Sequence, residues 1–335
     1  MFATDQGGVR FGRSGVQIGR LGIGAGTQSN VDGERAFDGM LEAAWAHGIR
    51  HYDTAPLYLD GESERRLGRF ARRHDRRELT VSTKVGRLAN RPGATDLVAA
   101  RRFDYTGSAT RESVERSLER LGFDRVDIVY VHDIDSAMHG SGFEDALATV
   151  LDECLPALEQ LRDAGVIGAI GVSSRQSEVC LRIAARHPVD GFMMAGSYTL
   201  LNHEPAERLL PFCLESGQSV VVASPFNTGI LASGSAQSTY DYGRPDADVR
   251  RRVSAIVAVC AAHGVDISAA ALAYPLRHPA VTSVVVGNRS AEEVRINVAA
   301  ADRVIPAQFW TDLEDAGLIP AVAATGTSKE SGRAL

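Results

Sequence analysis

Four side chains that together can move a proton stand just beyond apolar runs. The stretch IRHYDTAPLY (49–58) opens as a strand and ends with Asp53 and Tyr58, five residues apart. Two later runs, VSTKVG and VYVHD, deliver Lys84 and His132. A phenol, with a pKa of roughly 10, is a poor acid or base at neutral pH. An ammonium beside it favours the phenolate and is expected to lower that pKa. A buried Lys84 needs an anionic partner, and Asp53 can supply it. Tyr58 then becomes a proton donor and acceptor. His132 can hold a substrate oxygen by a hydrogen bond or share the proton transfer. Such a set suits interconversion of a carbonyl and an alcohol, with hydride moving to or from a cofactor. No nucleophile or metal set is evident, because His51, His132 and His139 lack convergent ligand spacing. Taken singly, Asp53 would serve as a turn cap and Tyr58 as a loop packing residue. The four in register on consecutive strand ends point to chemistry.

Those strand ends must be brought together by a fold. Apolar strands alternate with helical patterns along the chain. The expected strands are VQIGRLGIG (16–24, a strand or short strand pair), 49–53, 78–84, 125–132, 166–174, 190–196, 219–225 and 281–287. Expected helices include 34–48, 63–73, 110–122, 144–164, 175–186, 204–216, 246–263, 268–277 and 290–300. Thr110, followed by Ser113 and preceded by Ser108, reads as a capped helix start, and Gly122 as its stop. The strands are Val/Ile runs rather than alternating patterns, as parallel strands buried on both faces require. Eight of them with intervening helices predict an α/β fold, the (β/α)8 TIM barrel. A doubly wound sheet would place a GxGxxG turn after its first strand, and GIGAGTQSNVDG does not match it. In such a barrel, chemistry sits at the carboxyl ends of the strands, where Asp53, Lys84 and His132 fall.

The expected organisation is a single barrel domain over 9–322, a disordered segment 1–8 and a flexible tail 323–335. With 335 residues, 44% apolar and 23% charged, the composition is that of a globular protein with a large core. The formal net charge is −6, with no Lys/Arg stripe, which argues against a nucleic-acid partner. The run RHDRR (73–77) reads as a solvated helix end. Cys154, Cys180, Cys213 and Cys260 are widely spaced, as reduced buried thiols of a cytoplasmic protein would be. No secretory h-region or membrane-length apolar run is present, so neither export nor a membrane partner is expected.

The chain resembles the aldo-keto reductase family over about 10–320. DTAPLYLDGESERRLG (53–68), STKVG (82–86), SVERSLERLGFDRVDIVYVH (113–132) and LRDAGVIGAIGVSS (161–174) carry the resemblance. It implies that Tyr58 is the general acid/base, that Lys84 and Asp53 tune it, and that His132 orients the substrate. RFDYTG (102–107), AGSYTLLNH (195–203), SPFNTGILASG (224–234), YDYGRP (240–245) and FWTDLEDAGLIP (309–320) resemble a branch of aldose and pyridoxal dehydrogenases. That branch implies oxidation of a cyclic hemiacetal carbon to a lactone with NAD(P)+.

The resemblance also implies a cofactor extended across the barrel mouth. Ser173 and Ser174 would face the nicotinamide amide, although many members have Asn where this chain has Ser174. Ser224, Phe226, Asn227, Gly229 and Leu231, in SPFNTGIL, would wrap the pyrophosphate. GNRSAEEVRIN (287–297) would hold the adenosine, with Gly287, Asn288, Arg289, Ser290, Glu293 and Asn297 as candidates. The tyrosine that stacks on the nicotinamide in many relatives is replaced by Ala223. Glu293 would repel a 2′-phosphate and accept from a ribose hydroxyl, so NAD is expected; Arg289 keeps NADP open.

Around the mouth, Trp310 and Tyr105 are the candidate substrate contacts, with Phe103 and Asp135 as further loop residues. The expected partner is a small sugar or aldehyde, and the chain is expected to be a monomer or homo-oligomer. The alternatives are a pyridoxal dehydrogenase or general carbonyl reductase, and a non-catalytic cofactor-binding regulatory subunit.

Overall fold

The computed structural model describes residues 8–26, 33–88, 102–235 and 238–321. The expected flexible tail, residues 1–7 of the expected disordered start, and 89–101 of the mouth loop lie outside them. The expected barrel is there. Its strands are β1 (Leu21–Gly24), β2 (His51–Asp53), β3 (Thr80–Val85), β4 (Val126–Val131), β5 (Ile167–Ser174), β6 (Gly191–Ala195), β7 (Ser219–Ala223) and β8 (Val281–Gly287). Each pairs in parallel with the next, and β8 returns to β1 with Val284 opposite Leu21. Closure leaves the barrel itself without an edge strand.

Side-chain parity divides these strands. Val172, Val220, Val222, Val284 and Val286 face outward into the large core shared with the helices. Ile128, Tyr130, Ala169, Met193, Val221 and Val285 face inward and form a second core. A hairpin pairing Val9–Arg10 with Gln17–Ile18 completes that inner core from the amino end. Its Phe11, Val16 and Ile18 plug the barrel, with Phe11 edge-on to Tyr130 at 6.0 Å. At the other end, the inward positions carry His51, Asp53, Ser82 and Lys84. The barrel is therefore apolar below and polar at its mouth.

Several helices differ from expectation; that expected over 204–216 starts at Leu209. The helix expected to start at Thr110 starts at Gly107, capped by Thr106, whose hydroxyl accepts the Ala109 N–H at 3.3 Å. Asp104 holds Thr106 in place by accepting its N–H at 3.0 Å and its hydroxyl at 2.7 Å. Thr110 is buried inside the helix, and Gly122 ends it at φ 68° as expected. The helix expected over 144–164 contains a π-helical turn at Val150–Cys154, just before Pro156. Proline has no N–H for the usual ladder bond and crowds the carbonyl four residues back, and a widened turn absorbs both.

All four cysteines are free and buried. Burial pushes the Cys154 and Cys213 thiols up to about 12, so neither offers a thiolate at neutral pH. Among the described residues, no group of three His, Cys, Asp or Glu can hold a metal ion. No single helix among them is long and apolar enough to cross a membrane.

Candidate active site

Asp53 ends β2, and both carboxylate oxygens are occupied. Oδ1 accepts the Ser82 hydroxyl at 2.7 Å, and Oδ2 accepts Lys84 Nζ at 2.5 Å. Lys84 also donates to the Thr54 carbonyl at 2.9 Å. Its side chain is only 2% exposed. Burial by itself lowers the pKa of an ammonium, but Asp53 and then Tyr58 outweigh it, and the net shift is upward. Lys84 is therefore a fixed cation.

Tyr58 sits in the turn after β2, with its ring centre 4.9 Å from Lys84 Nζ. The expected lowering of its pKa is not what the structure gives. Burial raises it first, Lys84 pulls it back, and Asp53 and Asp133 raise it again, so the phenol stays above its ordinary value. Two carboxylates and desolvation together exceed one ammonium that Asp53 already neutralises.

His132 follows β4 and donates its backbone N–H to Val85 O at 2.9 Å. Its ring stands edge-on to Tyr58, centroids 6.0 Å apart. Burial drives its pKa down to about 4, with Lys84 and Arg87 adding to the effect and Asp133 opposing it. The ring is neutral at pH 7 and acts as a hydrogen-bonding group. Asp133 Oδ2 lies 3.6 Å from Nε2 and favours the proton there, while Nδ1 is buried without a partner. The structure thus brings the four predicted side chains to one place. There they offer a phenol between a cation and a neutral imidazole, a proton-transfer geometry for a carbonyl or alcohol.

Sequence reasoning missed Gly26, past the end of β1. A Cβ on Gly26 would lie 2.8 Å from Cε2 and Cζ of Tyr58. Gly26 also lines a groove of about 710 Å³ that runs away from the tetrad. Ser224, Phe226 and Gly229 form one wall, and Gly287, Arg289, Glu293 and Asn297 form another. Seven predicted cofactor residues therefore share one surface, and Gly26 links it to Tyr58.

The wall after β7 is strained. Ser224, Asn227 and Thr228 have φ of 55°, 47° and 64°. Left-handed non-glycine residues cluster where function demands a shape. Asn227 donates to Gly196 O at 3.0 Å, and its buried Oδ1 has no partner among the described residues. Tyr240–Gly243 forms a tight turn whose Asp241 and Tyr242 have φ of 50° and 63°. Tyr242 lines the groove, donates its N–H to Thr228 Oγ1 at 3.2 Å, and is also a miss. Asp-Tyr is not one of the dipeptides that mark a tight turn, so nothing in the sequence pointed to Tyr242 there. A groove of this volume, lined by left-handed Ser224 and Thr228 and by Gly26, Gly229 and Gly287, fits a dinucleotide.

Other predicted residues do not meet the groove. Ser173 has the inward parity of Ala169 and is buried at the end of β5. Ser174 has the outward parity, and its hydroxyl accepts the Gln176 N–H at 3.2 Å. Leu231 is fully buried in the outer core. Asn288 is buried and accepts from Asn297 Nδ2 at 2.7 Å. Ser290 caps the helix Ala291–Ala301 by accepting the Glu293 N–H. Glu293 is not a free acceptor: Oε1 takes Arg289 Nε and Nη2 at 2.9 and 2.7 Å, and Oε2 takes the Arg289 backbone N–H at 2.8 Å.

The two residues expected to contact substrate have other partners in the structure. Tyr105 is buried, donates to His132 O at 2.8 Å and stacks on Phe103, so it supports His132 from behind. Trp310 packs on Phe309 and Tyr274 and over Arg277, shortly before β8 begins, at the amino end of that strand. Asp135 is buried as the cap of Ser136–His139.

Comparison with known proteins identifies the family. The model of the Aldo/keto reductase family matches residues 18–317. The chain is 38% identical to D-threo-aldose 1-dehydrogenase of Pseudomonas sp, covering 92% of this chain and 96% of that one. It is 34% identical to pyridoxal 4-dehydrogenase of Microbacterium luteolum, covering 92% and 97%. Among solved structures, the holo form of an aldo-keto reductase from Bacillus halodurans superposes with a TM-score of 0.75 at 25% identity, covering 92% and 95%. The chain belongs to the aldo/keto reductase family and is an oxidoreductase of that family.

Proposed function

We propose that the protein oxidises the hemiacetal carbon of an aldose to a lactone, using a nicotinamide dinucleotide and Tyr58 as general base. The observation that carries this is Lys84, clamped by Asp53 at 2.5 Å and set 4.9 Å from the centre of the Tyr58 ring. The 38% identity to D-threo-aldose 1-dehydrogenase supports the aldose class. Tyr58 takes the anomeric hydroxyl proton as C1 gives up its hydride. Lys84 stabilises the phenolate that does this, and Asp53 holds Lys84 in place. His132, as a neutral imidazole, donates a hydrogen bond to the reacting oxygen.

The cofactor supplies the hydride acceptor. Ser224, Phe226 and Gly229 would hold its pyrophosphate, Gly287, Arg289, Glu293 and Asn297 its adenosine end, and Ser173 its amide. We keep NAD as the preferred form on altered grounds. Glu293 does not face a phosphate alone, but it occupies Arg289, which a 2′-phosphate would have to draw away. Exposed ion pairs contribute about 0–1 kcal/mol, so the preference is modest. Lactone formed from aldoses with NAD+, in a panel that also holds pyridoxal, simple aldehydes and NADP+, tests the proposal. Turnover of pyridoxal alone would favour the second reading, which the 34% identity to pyridoxal 4-dehydrogenase supports.

A further inference from the structure

Beside His132 lies a charged pair that the proton-transfer scheme does not use. Asp133 takes a left-handed backbone, φ 55°, directly after the histidine. This aims its carboxylate back toward the site, where it acts on Tyr58 as well as His132. Arg87 comes to it from another element, the short hairpin pairing Arg87–Leu88 with Arg102–Phe103. Its Nη1 donates to Asp133 Oδ2, and its guanidinium lies 5.9 Å from the Phe103 ring. Both side chains are largely buried, 18% and 12% exposed.

Much of the pair's bonding capacity is left over. A carboxylate offers about four lone-pair directions and a guanidinium five N–H groups. Asp133 Oδ1 has no partner among the described side chains, and Arg87 Nε is buried without one. An acceptor and a donor, fixed to each other and next to the imidazole, complement two neighbouring hydroxyls: one donates to Asp133, the other accepts from Arg87. A bare aldehyde would dehydrate the pair and return nothing, and a site built for hydroxyls rejects a ligand lacking them.

We infer that Asp133 and Arg87 are the specificity element of this site, reading the hydroxyls next to the reacting carbon and selecting polyhydroxylated carbonyl compounds over bare ones. The inference rests on the dehydrogenase reading above and deepens it.

The test compares kcat/KM for an aldose with kcat/KM for propanal reduction, in wild type, Asp133→Asn and Arg87→Lys. The aldose-to-propanal ratio is expected to fall about 100-fold in Asp133→Asn, mostly through KM for the aldose. Arg87→Lys, which keeps the charge but loses the fork, lowers the same ratio less and serves if Asp133→Asn does not fold. A ratio that stays at the wild-type value in the folded variants overturns the inference, because a purely structural pair would reduce both activities in parallel. In that case aldose oxidation by the wild type still stands. A wild type that reduces propanal but oxidises no aldose overturns both.

Discussion

Gly26 lies against the face of Tyr58 so closely that a methyl group there would stand 2.8 Å from two ring carbons. The contact joins the proposed acid–base residue to the groove that Gly26 also lines. Contacts under 3 Å force a shift, and Tyr58, in a turn, is the part free to move. Gly26→Ala should therefore lower kcat/KM by about 10–100-fold, since misplacing a reacting group by about 1 Å has effects of that size. The melting temperature should stay close to wild type. Unchanged kinetics would show that the ring position does not matter.

Removing the hydroxyl is the sharper change. Tyr58→Phe keeps the ring and the contact with Gly26 but deletes the proton carrier. Turnover should fall by roughly 10²–10⁴-fold, the usual worth of general acid–base catalysis. Dinucleotide affinity, read by fluorescence titration, should persist. Retained turnover would remove Tyr58 from the mechanism.

The direction of the Tyr58 shift makes a pH prediction. Oxidation needs the phenolate, and with the pKa above its ordinary value the phenol is protonated at neutral pH. The phenolate fraction rises tenfold per pH unit below the pKa, so oxidative kcat/KM should climb steadily through pH 7 to 9. His132, with its pKa near 4, adds no inflection around 6.5. A plateau at neutral pH would mean that the base has a lowered pKa.

Buried histidines also tie stability to acid. His51 and His132 both fall from 6.5 to about 4, burial being the main cause. Between those values the unfolded chain binds more protons, so stability is full above about pH 6.5 and drains away as pH falls toward 4. Each should forfeit roughly 2 kcal/mol by about pH 5. Urea midpoints at pH 7.5 and 5 measure this, and equal midpoints would contradict it.

At the far end of the groove, Glu293→Gln should free Arg289 from its ion pair. The ratio of kcat/KM for NADP+ over NAD+ should rise by about 2–5-fold, as expected for one exposed charge pair. A ratio that stays put would place discrimination elsewhere.

The barrel was legible because Val/Ile runs fix strand positions, and Asp53, Lys84 and His132 lie at or just past strand ends, with Tyr58 in the turn after β2. What escaped depends on the balance of distant groups. The sign of the Tyr58 shift is a contest between burial and charges from three strand ends, which no spacing displays. Leu231 and Ser174 lie among residues of the right motifs, yet one faces the outer core and the other closes a local turn. Trp310 and Tyr105 had the aromatic character of substrate walls, but an aromatic ring in a loop serves packing equally well. Arg289 and Glu293, four apart at a helix start, advertised their pairing in the sequence. The cap read at Thr110 is in fact Thr106, which Asp104, outside the capping pattern, holds in place.

The hairpin stopper of Phe11, Val16 and Ile18 shuts the end of the barrel remote from Tyr58. Solvent therefore meets Lys84 and Asp53 from the mouth side alone. Any molecule that settles over the mouth becomes the second lid of a chamber whose first lid is permanent. Its arrival strips water from the ammonium and carboxylate and strengthens their hold on the phenol, so occupancy itself tightens the acid–base apparatus.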